Sequence, residues 1–254
     1  MLKTDHDSAD YVLDGCRGKR GEPMNVKTRF KLLVAAVLVA AWCGVLTADA
    51  GQSYISPTVN YGSGRWGGIT GSPVAKGSTA TADVLIVGDS ITTRCYPALR
   101  TALAAKGKTL AVAAQSGANT KQLTDLLMNQ LSLPPVVVMA AGTNDVFNPF
   151  AAPAQVSRAV RWMSETGSKL YWVDTYVGRP AYLASDIRNS GQVNAAIYAS
   201  NPNVIGWTPA LTSAVGRGRA LSYYLQDGVH PWAAAGTGHG NGCAYWAGVI
   251  ASRL

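Results

Sequence analysis

The chain has 254 residues and is 48% hydrophobic, enough for one well-packed core and a short extra arm, so one domain is the simplest count. Its 22 Lys and Arg outnumber 14 Asp and Glu for a net charge of +8, but the excess is spread without a dense basic cluster, which argues against nucleic acid as a partner. Three His and four Cys fall without metal-ligand spacing, so no metal and no other cofactor is expected. In chain order, Lys27, Arg29 and Lys31 precede an apolar stretch, residues 32–46, which ends at Ala48-Asp49-Ala50. A basic region, a hydrophobic region and a small-residue cleavage site make a secretory signal peptide. The apolar stretch is shorter than the roughly 20 residues a spanning helix needs. Cleavage is expected after Ala50, and Met24 is the expected start because residues 1–23 are polar and mixed in charge. The mature protein would then be secreted or held in the cell envelope, with no stable membrane span.

Residues 51–82 shift to Gly, Ser, Thr and Pro and read as a linker or surface arm. Gly62, Gly64 and Gly67 have GxGxxG spacing there, but no strand precedes them and no helix pattern follows, as a dinucleotide site requires. From residue 83 onward short apolar runs alternate with helical stretches. Strands are expected at 84–87, 110–114, 136–140, 170–174 and 204–206, and helices at 97–105, 120–131, 153–166, 185–199 and 244–253. The pattern predicts an α/β domain over residues 83–254, built on a five-stranded parallel sheet covered on both faces.

Polar clusters close three of those runs: Gly88-Asp89-Ser90, Ser116-Gly117-Ala118-Asn119 and Gly142-Thr143-Asn144-Asp145. A fourth, Asp227-Gly228-Val229-His230-Pro231, lies near the C-terminus. A serine hydroxyl becomes a nucleophile when an imidazole takes its proton, and a carboxylate fixes that imidazole's tautomer. Ligands of open α/β sheets bind beyond the carboxyl ends of the strands, so Ser90, Gly117 and Asn144 should meet at one edge. Taken singly, each block has a plainer reading. Asp89 and Ser90 suit a turn and helix cap, Gly117 a tight turn, Asn144 a loop cap and His230 a satisfied structural histidine. Asp145 is assigned to loop structure.

The four blocks in this order resemble the SGNH hydrolases, also called GDSL esterases and lipases. The resemblance implies a flavodoxin-like three-layer sandwich and a serine ester hydrolase. It makes Ser90 the nucleophile, His230 the base and Asp227 its partner, with an oxyanion hole of Ser90, Gly117 and Asn144. Two departures stand out: Gln115 and Thr120 occupy positions where the family usually has Asn and Gly, and Gly236, Gly238, Gly240 and Gly242 interrupt the approach to the last helix. That stretch is expected to be a mobile flap, with His239 a solvated loop residue rather than a second base.

Cys16 and Cys43 would leave with the signal region, and Cys95 and Cys243 remain. In an oxidising compartment one disulfide near the active edge is expected, with two buried free thiols as the alternative. Phe147, Asn148, Pro149, Phe150 and Trp232 are expected to border the pocket. Aromatic walls suit short acyl chains and sugar faces, so the expected substrate is a short-chain ester or an acetylated carbohydrate. The alternatives are acyl transfer to a sugar or lipid acceptor, or a non-catalytic protein that binds cell-wall glycan. A monomer is expected, and its positive charge reads first as ordinary solubilising charge and second as favouring an acidic cell-wall polymer as a surface partner.

Overall fold

The computed structural model describes residues 74–201 and 203–254. The upstream segment, the signal peptide and residues 51–73 of the expected arm lie outside the described residues.

Strand β2 (Val84–Gly88) is buried at every position and sits at the centre of the sheet. It pairs in parallel with β3 (Leu110–Ala114) on one side and β4 (Val136–Ala140) on the other. Beyond β4 follow β5 (Lys169–Val173) and the short β6 (Val204–Ile205), also parallel. The order β3-β2-β4-β5-β6 is that of a doubly wound flavodoxin-like sheet. Side chains alternate across β2. Leu85 and Val87 face one core with α2 (Thr120–Met128), α3 (Ala152–Ser164) and α4 (Ala184–Ser200). Val84 and Ile86 face the other, with α1 (Ser90–Ala104), α5 (Trp207–Gly216) and α7 (Gly242–Ala251).

Among the described residues the sheet has six strands and is mixed, not five and all parallel. Strand β1 (Val74–Lys76) lies antiparallel on the outer edge of β3. It is only three residues long and at most partly buried, inside a stretch that carries no apolar run. Open backbone groups along β3 make it a strand, and that pairing leaves no local sequence signal.

Helix α1 starts seven residues before the expected position. Asp89 caps it, its Oδ1 accepting from Ile91 N–H at 3.0 Å, and Pro97 sits inside the helix rather than at its start. Asn119 caps α2 in a reciprocal box with Gln122. Two α-helices among the described residues were not expected. Helix α5 carries Pro209 in its first turn and buries Trp207, Leu211 and Ala214, and α6 (Leu221–Tyr224) is a single turn. A disulfide joins Cys95 on α1 to Cys243 on α7, with both residues buried, so the expected pairing is present.

Candidate active site

The parallel register sets Gly88 level with both Ala114 and Ala140. The chain therefore leaves β2, β3 and β4 at one height along the carboxyl edge. Ser90 is the first residue of α1, two residues beyond that level. Its Oγ lies 2.9 Å from His230 Nε2, and His230 Nδ1 lies 2.7 Å from Asp227 Oδ2. An ionised Asp227 can only accept, so Nδ1 carries the ring proton and Nε2 accepts from the Ser90 hydroxyl. Burial opposes charge on Asp227, but the backbone N–H and ring of His230 and the N–H of Val229 outweigh it and hold the carboxyl below its usual range. The three side chains expected to act together, separated by 140 positions between serine and histidine, are in direct sequence of contact.

Around Ser90 the donors are arranged by local backbone rules. The first turn of α1 leaves N–H groups without intrahelical partners, that of Ser90 among them. Gly117 has φ +79°, a left-handed conformation that glycine adopts without strain, in the turn closed by Ala118 N–H to Gln115 C=O at 3.2 Å. Asn144 donates one amide hydrogen to Ala118 C=O at 2.9 Å, which couples the second and third blocks and leaves its other hydrogen for an outside acceptor. Gly142 has φ +133°, and a Cβ there would crowd the Thr175 hydroxyl.

Two further acids have structural duties. Asp145 is buried and accepts from both the N–H and the hydroxyl of Thr120, at 2.8 and 2.9 Å. Burial raises its carboxyl, and those bonds oppose the rise. The departure at Thr120 thus has a physical reason, since its hydroxyl ties the second block to the third where glycine could not. Asp89 is fully buried. Burial pushes it up to about 6, against the Ile91 N–H, the Thr143 hydroxyl and the His230 ring.

Several side chains at the rim escaped sequence reasoning. The segment after β5 packs on the Asp227 turn, where Ala181 N–H donates to Asp227 C=O at 3.1 Å and a Cβ on Gly228, at φ +88°, would strike the carbonyl of Arg179. Tyr182 in this segment stacks on Phe147 with ring centroids 5.3 Å apart. Its hydroxyl is pushed up by burial and by the negative charges of Asp89, Asp227 and Asp186, which places it in the field of the site. The one usable signal was position, at the carboxyl end of a strand. Phe147 is therefore engaged with Tyr182, Pro149 is buried, and Phe150 is 85% exposed. Arg94, one turn along α1 from Ser90, donates to Gln226 Oε1 at 2.6 Å.

The glycine-rich stretch is pinned, contrary to the mobile flap expected. Gly236 and His239 pair as an antiparallel bridge, Gly240 N–H donates to Tyr223 C=O at 2.9 Å, and Cys243 N–H donates to Trp232 C=O at 2.8 Å. His239 is not a free loop residue either. Its ring stacks on Trp232 at 3.9 Å between centroids and 13° between planes. Among the described residues no three His, Cys, Asp or Glu side chains converge to hold a metal, and no helix is long and apolar enough to cross a membrane.

No protein-family model matches the chain, and no curated protein is significantly similar to it in sequence. Solved structures are similar in fold. A GDSL-like lipase from Bacteroides thetaiotaomicron aligns over 66% of this chain and 85% of its own, at 21% identity and a TM-score of 0.50. An acetylxylan esterase from Geobacillus stearothermophilus aligns over 68% and 94%, at 15% identity and 0.52. An α/β hydrolase from the metagenome of Lake Arreo, Spain, aligns over 68% and 93%, at 17% identity and 0.51. The chain shares the fold in which GDSL lipases and acetylxylan esterases are built.

Proposed function

We propose that the chain is an exported serine esterase of the SGNH type. The single observation that carries this reading is the continuous Ser90–His230–Asp227 hydrogen-bonded relay at the carboxyl edge of the sheet. In the first step His230 Nε2 takes the Ser90 proton as Oγ bonds to the ester carbonyl carbon. The oxyanion that forms is held by the N–H groups of Ser90 and Gly117 and the free amide hydrogen of Asn144. Collapse breaks the ester C–O bond, and the departing alcohol takes the proton from His230. Water then attacks the acyl-enzyme with His230 as base, and Ser90 regains its proton as the acid leaves.

The likeness in fold to an acetylxylan esterase supports acetyl or other short acyl groups, including those on carbohydrate, as the substrate class. The Cys95–Cys243 disulfide supports passage into an oxidising compartment, as expected if residues 1–50 hold a signal peptide, 51–82 an arm and 83–254 the catalytic domain. A fluorophosphonate probe tests the core claim: wild type should be labelled and should hydrolyse p-nitrophenyl acetate, and Ser90→Ala should lose both while unfolding at the same temperature. Labelling that survives in Ser90→Ala would remove Ser90 as nucleophile, and a wild type that neither labels nor turns over would favour a glycan-binding protein instead.

A further inference from the structure

The segment around His230 is a short two-stranded ladder. Gln226 N–H donates to His230 C=O at 2.8 Å, Leu225 bridges Pro231 in antiparallel fashion, and Trp232 N–H donates to Tyr224 C=O at 3.0 Å. Side chains alternate along such a ladder. Leu225 and Pro231 share one face and are buried, whereas His230 and Trp232 share the other, opposite Gln226, which is exposed, and Tyr224, which packs toward the core. Positions two apart on an extended chain are about 6.5–7 Å apart. Trp232 is thus the next position along the same face from the imidazole that contacts Ser90.

Trp232 is also held unusually firmly for a rim residue. Its Nε1 donates to Ser222 C=O at 2.9 Å, its backbone is bonded on both sides, and the imidazole of His239 lies flat against its ring. The glycine-rich stretch, which departs from the family pattern, is what delivers His239 to that position: the Gly236–His239 bridge turns the chain back, and a Cβ on Gly236 would collide with the His239 ring. The neighbouring rim is polar, with the exposed Arg94 guanidinium bonded to Gln226. A pyranose ring presents a flat C–H face and a belt of hydroxyls, and it matches an aromatic surface bordered by amide and guanidinium groups. An acyl chain would call for an enclosed apolar slot instead. A ring fixed before binding loses little rotamer freedom on binding.

We infer that Trp232, braced by His239, forms a sugar subsite beside the reacting ester, so that the substrate is an acylated glycan with one pyranose seated on the indole and its hydroxyls toward Gln226 and Arg94. This rests on the esterase reading above, and it is separable from it by measuring binding without turnover. Calorimetric titration of the full-length Ser90→Ala protein with an acetylated xylo-oligosaccharide should give saturable binding. Adding Trp232→Ala should weaken it about tenfold or more, adding His239→Ala several-fold, and adding Trp232→Phe no more than about threefold. Absence of binding by the Ser90→Ala protein up to millimolar ligand, or affinities within twofold of it in both the Trp232→Ala and His239→Ala backgrounds, would overturn the subsite. If Trp232→Ala fails to fold, the His239→Ala and Trp232→Phe proteins still decide the matter. Failure of the esterase reading would appear elsewhere, as wild-type protein that binds the oligosaccharide and releases no acetate.

Discussion

Two aspartates near the Ser90–His230 contact live in opposite surroundings. Asp227 is partly exposed and takes hydrogen bonds from the N–H groups of Val229 and His230 and from the His230 ring, and its carboxyl is held low. Asp89 is fully buried, takes one good backbone bond, from Ile91, and is pushed up to about 6. The same functional group thus serves as a permanent anion beside the imidazole and as a reluctant one beneath the serine. Depth of burial and number of donors, not closeness to the reacting atoms, separate the two.

The sharpest way to break this contrast is Asp227→Asn. It should lower kcat by about 10³–10⁴ because the imidazole loses the acceptor that fixes its tautomer, with the fold retained and only the stability supplied by the lowered carboxyl lost. A loss below tenfold would reduce Asp227 to a loop residue. Asn144→Ala probes the neighbouring donor and should cost about 10²–10³ in kcat with a smaller change in KM. An effect under threefold would take Asn144 out of the oxyanion hole. Replacing both Cys95 and Cys243 by Ala should destabilise the fold by about 2–4 kcal/mol, read from denaturant unfolding. An unchanged midpoint would show that packing between α1 and α7 suffices without the bond.

The smallest effect is the most diagnostic of the contrast, because the two carboxyls contribute to stability with opposite sign as pH changes. The lowered group, Asp227, stabilises the fold above its unfolded-state value and loses that contribution as pH falls through its lower folded value. The raised group, Asp89, binds its proton more tightly when folded, so its ionisation costs stability as pH rises from about 4 to 6, and the penalty persists above. Asp89→Asn keeps an oxygen for the Ile91 cap and removes that charge. It should stabilise the fold at pH 8 by at most about 3 kcal/mol, a rise of ~6–12 °C in melting temperature, and the gain should vanish near pH 4. A variant less stable than wild type at pH 8 would mean that the buried charge is compensated.

What the sequence made legible follows the same division between local and distant causes. Strands β2 to β6 are apolar runs and polar blocks follow β2, β3 and β4, so the residues at that carboxyl edge could be named from pattern. Helix α5 was hidden because Trp207, Thr208 and Pro209 open it without an amphipathic rhythm. Strand β1 exists through its pairing with β3, and the Phe147–Tyr182 stack joins segments 35 positions apart, so neither leaves a mark nearby in the chain. The error about the glycine-rich stretch has a similar origin. Composition correctly barred a helix before Gly242, but said nothing of the bridge, the disulfide and the Trp232 contact that fix the stretch in place.

The shared level of Gly88, Ala114 and Ala140 makes β2 a ruler. Because a strand advances about 3.3 Å per residue, inserting or deleting one residue within β2 would carry the hydroxyl past hydrogen-bond range of its imidazole and flip the remaining side chains of β2 to the opposite core. Length drift among descendants of this chain should therefore collect in the exposed turns, such as that at Gly107 or Gly167, while the span between Val84 and Ser90 keeps its count.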